Sequence, residues 1–346
     1  MMDYTDELKI LQDISDFAGN RPDYTQGGGG NTSVKLDGRL MAIKASGYRL
    51  TDITPTTGFV TVDYPKLLNY YSTVDPAEDK DFEAESAKVA QEAVDQLPGL
   101  PALRPSVEVG FHSLLKKYVI HTHAVYANLL CCTSKGEELA REIFADADFG
   151  VIWLPYIKPG FTLTLKMAER IRSYRADHGE EPSVIFMQNH GLVVHDDDPG
   201  RAKQLQAEVN DRIMAHFGLT EKDFGKVALK KEGEGFVSAS AQPAAYLKHS
   251  PINLVELDRI PLYPDQLVYL NNTLRNDPSK MEVKGERVFY RTTEKEATTL
   301  EETLCAYLFV VDQLRRRNLP ISVMGGEDVD FINHWEAEKF RRTVSK

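Results

Sequence analysis

Apolar positions recur along the chain with two periods, and the switches between them outline the elements. Leu8, Ile10, Leu11, Ile14 and Phe17 follow helical spacing over residues 3–18, ended by Gly19-Asn20. A glycine cluster, Gly27–Gly30, comes next. Segments 32–36 and 39–44 read as strands of a hairpin turning at Asp37-Gly38, with a third strand over 59–63. Helices are predicted at 64–72, at 82–97 and after Arg104-Pro105, where Pro105 suits a first turn and Glu108 and His112 share a face. The β-branched stretch Lys117-Tyr-Val-Ile-His-Thr-His-Ala-Val reads as a strand. A helix at 135–145, a strand at 150–154, a helix at 162–177, a strand at 183–188 and a helix at 199–217 follow. Strands and helices mix without regular alternation, so the expected class is α+β: a three-layer arrangement with a mostly antiparallel sheet flanked by helices.

The composition shifts near Leu219, and residues 221–346 are expected to form an accessory extension to a first domain of residues 1–220. After Ala- and Gly-containing linkers, Asp265-Gln-Leu-Val-Tyr-Leu reads as a strand and 281–291 as a hairpin turning at Lys284-Gly285-Glu286. Residues 296–318 form an amphipathic helix through Leu300, Leu304, Leu308, Val311 and Leu314. Another helix carries Phe331, Trp335 and Phe340.

The 346 residues carry a formal net charge of −11, which disfavours nucleic acid or an anionic membrane as a general partner. Cys131, Cys132 and Cys305 are an odd set without framework spacing, so a reducing, cytoplasmic compartment is expected. The acidic start lacks the apolar core of a signal peptide. No run reaches the roughly 18 apolar residues that span a bilayer.

The candidate chemistry lies in three histidines and a glutamate. His121 and His123, two apart on a strand, point to one face and can share an ion. His190 ends the apolar run of 183–188, and Gly191 after it permits a tight turn. Three neutral imidazoles with an open fourth position are the ligand set of a catalytic zinc, although a His-x-His pair alone also suits a buried core. Gly27–Gly30, followed by Asn31-Thr-Ser, reads either as a flexible linker or as a turn offering N–H groups to a phosphate. It is neither a Walker loop nor a dinucleotide fingerprint. The turns Lys44-Ala-Ser-Gly-Tyr and Arg104-Pro-Ser can surround the same phosphate. His112 either supports the site or merely packs, and the remaining histidines read as solvated or structural.

Gly-Asn-Thr-Ser at 30–33, Lys-Ala-Ser-Gly at 44–47, Pro-Ser-Val-Glu at 105–108, His-Thr-His at 121–123, Leu-Pro-Tyr at 154–156 and Asn-His-Gly at 189–191 stand in an order that resembles class II aldolase/adducin proteins. The resemblance covers roughly residues 5–217 and is strongest to the aldolase part of bifunctional rhamnulose-1-phosphate aldolase/dehydrogenases. It implies one Zn2+, or another divalent ion, on His121, His123 and His190, with Glu108 as acid/base. It implies that Asn31, Ser46, Gly47 and Ser106 hold a substrate phosphate. Tyr156 would donate a proton to the aldehyde oxygen in the site of a neighbouring subunit of a homo-oligomer, a tetramer in relatives. The implied reaction is reversible cleavage of a ketose 1-phosphate to dihydroxyacetone phosphate and an aldehyde. A pentulose-phosphate 4-epimerase and a non-catalytic adducin-like protein are the alternatives. Val107 stands where relatives often carry a second serine, which leaves a carboxylate-bearing substrate as a competitor.

Overall fold

The computed structural model describes residues 3–334. A seven-stranded sheet is built from β1 (Asn31–Lys35), β2 (Leu40–Lys44), β3 (Phe59–Asp63), β4 (Tyr118–Thr122), β5 (Val151–Leu154), β6 (Val184–Met187) and β7 (Gly191–Asp196). Its order is β3-β2-β1-β4-β7-β6-β5, and every pair is antiparallel except β5 with β6. Helices cover both faces, which is the α+β arrangement expected.

The register carries function directly. Asn31 on β1 lies opposite His121 on β4, and His121 lies opposite Val193 on β7. Both faces of the central strands are covered, so β4 is buried at every position and reads as a continuous apolar run. The β6–β7 reversal is tight: Met187 pairs with Gly191, and Asn189 turns the corner at φ 51°. Asparagine tolerates that left-handed conformation better than most residues do. This turn throws His190 to the same end of the sheet as His121 and His123.

Several elements differ from the sequence reading. Asp265–Leu270 is no strand: Gln266–Asn271 is a π-helical turn that runs into helix Asn272–Asn276. All six residues of the turn are buried, so no alternation existed to separate strand from buried helix. The supposed linkers contain a hairpin of β8 (Leu229–Glu232) and β9 (Gly235–Ser238). Together with β10 (Met281–Lys284) and β11 (Arg287–Tyr290) it makes a four-stranded sheet in the order β10-β11-β9-β8. Strand β7 and helix Val125–Cys131 also went unread, because the chain there is apolar at nearly every position. The helix expected over 82–97 ends at Glu92. The final helix spans Gly326–His334 with Phe331 on it, while Trp335 and Phe340 lie outside the described residues.

Helix Glu294–Arg316 is buried at almost every position from Thr299 to Leu314. It packs against helix Val125–Cys131 and the π-helical turn. The Phe309 ring meets Tyr126 edge-on at 5.8 Å and Phe224 at 5.5 Å. One hydrophobic cluster therefore runs from the first helix through the sheet into the residues after 220. Among the described residues no helix is long and apolar enough to cross a membrane.

Candidate metal centre and its anion pocket

His121, His123 and His190 converge, with one ring nitrogen of each lying within 4.8 Å of the others. All three are buried. The His121 Nδ1–H donates to the Leu192 carbonyl at 3.0 Å, and the His123 Nδ1–H donates to Asp265 Oδ2 at 2.5 Å. Both partners can only accept, so each ring keeps its proton on Nδ1 and turns the Nε2 lone pair inward. The two Nε2 atoms then face each other at 3.2 Å. Two ligands of a tetrahedral zinc at 2.0–2.1 Å stand roughly 3.3 Å apart. Two lone pairs at that distance repel unless a cation lies between them. The donor set and its spacing therefore fit a divalent ion.

Glu108 precedes helix Val109–Leu114, which begins one turn later than Pro105 suggested. Its Oε1 lies 3.3 Å from His121 Nε2 and 3.5 Å from His190 Nε2, while its Oε2 accepts from the Asn31 amide at 3.0 Å. Burial pushes the Glu108 carboxyl up, but its contacts with His121 and His190 hold it well below the usual carboxylate range when a proton, rather than a metal ion, sits on the inward nitrogens. A bound cation acts in the same direction. Burial brings His190 down to about 4, opposed by the hydrogen bond to Glu108. His112 is likewise pushed down to about 3 by burial, and its Nδ1 pairs with Ser33 Oγ at 2.7 Å on β1. His195, read as solvated or structural, is fully buried in β7.

Beside this cluster lies a cavity of about 50 Å³, room for roughly three or four waters. Its wall includes Gly28–Gly30, Lys44, Ser46, Gly47, Ser106, Glu108, His123 and His190. An antiparallel bridge between Ala45 and Pro105, with Ser46 N–H donating to Arg104 O at 3.0 Å, brings the two serine turns together. The glycine run contributes less than its sequence suggested. Gly27 N–H donates to Glu302, Gly28 N–H to the Tyr269 hydroxyl and Gly29 N–H to Gln26 O. Those three donors are thus spent within the protein. What the run supplies instead is close approach. A Cβ at Gly29 would stand 2.3 Å from Asp265 Oδ2 and 2.9 Å from His123 Nδ1.

Tyr156 is not brought to this cavity. It lines a separate pocket with Thr133, Trp153, Lys158 and Asp328, where its hydroxyl is buried without a hydrogen-bond partner. Sequence reasoning missed two residues at the site. Lys44 is buried in the cavity wall, its Nζ donating to Gly28 O and Tyr48 O. Its signal was a lysine opening the Ala-Ser-Gly turn. Asp265, hidden in a segment read as a strand, had no local signal.

A model of the Class II Aldolase and Adducin N-terminal domain matches residues 18–212. A Bacillus subtilis (strain 168) protein called "Uncharacterized oxidoreductase YuxG" is 34% identical over 122 residues, covering 33% of this chain. The match spans only 16% of that protein's length. A solved N-terminal class II aldolase domain from Thermoplasma acidophilum is 24% identical with a TM-score of 0.51, over 62% of this chain and 96% of that one. A solved L-fuculose 1-phosphate aldolase is 20% identical with a TM-score of 0.41, over 67% of this chain and 93% of that one. The family match covers more than half of the residues and includes every histidine of the centre; the chain belongs to the class II aldolase and adducin family.

Proposed function

We propose that the protein is a metal-dependent aldolase that reversibly cleaves a ketose 1-phosphate into dihydroxyacetone phosphate and an aldehyde. The observation that carries this reading is the juxtaposition at one cavity of three converging imidazoles, the Glu108 carboxylate 3.3 Å and 3.5 Å from two of them, and the paired serine turns. His121, His123 and His190 would hold the ion, which when bound would supply a Lewis acid for a ketose carbonyl and for the charge left as the C3–C4 bond breaks.

The chain's own groups do the rest. Ser46, Gly47 and Ser106 hold the phosphate, Lys44 adds a positive charge in the same wall, and Val107 adds no polar side chain. Asn31, expected at the phosphate, is not in the cavity wall and instead keeps Glu108 aimed by donating to its Oε2. As the C3–C4 bond breaks, the C4 hydroxyl passes its proton to the Glu108 carboxylate and the aldehyde departs. Glu108 carries the proton that C3 of the three-carbon fragment must gain, and removes it in the synthetic direction. Tyr156 stands away from its own chain's cavity, so in this reading it serves the site of a neighbouring copy in a homo-oligomer.

The test is elemental analysis of purified protein together with a panel of ketose 1-phosphates. One equivalent of zinc per chain and release of dihydroxyacetone phosphate are expected. Active protein without stoichiometric divalent metal would overturn the reading. Epimerised pentulose phosphate without net cleavage would move the protein to the 4-epimerases, and binding without turnover to the scaffold proteins.

A further inference from the structure

We infer that Asp265, which lies outside the family-matched residues, is a positioning residue for the metal ligand His123, so that the residues after 220 complete the metal centre. The inference rests on the metal reading above. Asp265 is fully buried, and its Oδ2 meets His123 Nδ1 at 2.5 Å. A buried carboxylate costs stability unless it is paired, and here it is paired with a ring that must present one particular tautomer to a metal. The imidazoles differ in this respect. His121 is oriented by a backbone carbonyl, whereas His123 is oriented by a side-chain carboxyl group. A carboxylate behind an imidazole fixes the ring and raises the basicity of its far nitrogen, strengthening that ligand.

The setting of Asp265 is rigid. It enters the buried π-helical turn, an irregularity that recurs at functional sites. Beside it, the Gln266 side chain accepts from Leu262 N–H at 2.7 Å and donates to Leu257 O at 2.9 Å. The glycine run is shaped around the carboxylate, since Gly29 leaves space that any side chain would take from Oδ2. The same region grips the turn that carries His190. The Asn189 amide donates to Leu262 O at 2.8 Å and to Ser322 O at 2.9 Å, and the Ser322 hydroxyl donates to Asn189 Oδ1 at 3.0 Å. Two of the three ligands are therefore held from residues after 220.

The experiment titrates Zn2+ against a competing chelator and records Co2+ absorption for wild type, Asp265→Asn and Asp265→Ala. Asp265→Ala should lose about 10–100-fold in Zn2+ affinity with an altered Co2+ spectrum. Asp265→Asn, which keeps a neutral acceptor, should fall between that variant and wild type. A folded Asp265→Asn with wild-type affinity and spectrum would overturn the inference. Nitrogen-resolved NMR of histidine rings in the zinc-loaded wild type decides without a variant. The His123 proton must sit on Nδ1, shifted downfield, and a proton on Nε2 overturns the inference. A wild type that binds no zinc defeats the metal reading itself, and that failure is recognisable before any variant is compared.

Discussion

Residues 18–212 and the residues after 220 meet at one site in opposite roles. The first region, which matches the family, supplies every group with a lone pair or proton to offer: His121, His123, His190, Glu108, Asn31 and the two serine turns. The second supplies supports behind those groups, with Pro264 reaching the cavity wall itself. Asp265 stands behind His123, Tyr269 and Glu302 occupy Gly28 and Gly27 N–H, and Ser322 braces the His190 turn. Glu302 is itself held by Arg49 at 2.6 Å. Reacting groups and the groups that orient them need not share a stretch of sequence, because precision depends on packing across the site.

The harshest way to break the comparison is to remove one side. A chain cut after residue 219 would uncover the apolar surface under helix Glu294–Arg316, including Tyr126 and Leu130, both fully buried in the whole protein. The expected outcome is aggregation, or a soluble remnant that binds Zn2+ more weakly than the intact chain, read by sizing and metal titration. A remnant with wild-type affinity would show that the second region supports nothing at the site. On the other side, His121→Ala or His190→Ala should reduce activity to background while circular dichroism stays native, because two imidazoles hold a metal poorly. Glu108→Gln should keep the metal and lose about 10²–10⁴-fold in turnover. Solvent deuterium exchange into dihydroxyacetone phosphate at the wild-type rate would remove Glu108 from its role.

The same contrast explains what could be read in advance. Glu108 and the three histidines were visible because each sits in a short motif whose spacing carries chemistry, and β1 through β4 because of hairpin turns and β-branched runs. Asp265 was not. It lies 142 residues from its partner His123, and a carboxylate behind a ligand has no local spacing to betray it. The π-helical turn added a second obstacle, since a run buried on all sides carries no period. The glycine run was misjudged for a related reason. Its composition fits an anion loop, but Tyr269 and Glu302, which consume two of its N–H groups, come from far along the chain.

Gly29→Ala tests the contact where the two regions touch. The added methyl would meet Asp265 Oδ2 at 2.3 Å with backbone close behind, at 3.0 Å from Gln26 O, so the neighbours must move. A loss of about 1–3 kcal/mol is expected from overpacking, with weaker Zn2+ binding as Asp265 is displaced. Gly38→Ala, at a position with nothing within 4 Å, is the control and should change neither. Tyr269→Phe leaves Gly28 N–H without its acceptor and should cost about 1–3 kcal/mol in a denaturant titration. Equal stability of Tyr269→Phe and wild type would mean that the loop does not need that support.

The gentlest distinction between the regions is their response to acid. His112 and His195 are fully buried in the family-matched part, whereas His249 and His334 in the second region are exposed. Burial takes His195 from 6.5 down to about 3; Lys116 and Lys35 act in the same direction, while Asp196 opposes. Between those values the unfolded chain binds a proton at this position that the folded chain does not. Stability from this group is therefore complete above pH 6.5 and declines as the pH falls toward 3. The slope is about 1.4 kcal/mol per pH unit for each such histidine. His195→Gln places in β7 a side chain that does not titrate, so its stability should fall less steeply below pH 6.5, by about that slope. Urea unfolding of both proteins from pH 7.5 to 4.5 measures it. Parallel curves would show that His195 does not shed its proton on folding, and that the acid sensitivity of this half of the molecule lies elsewhere.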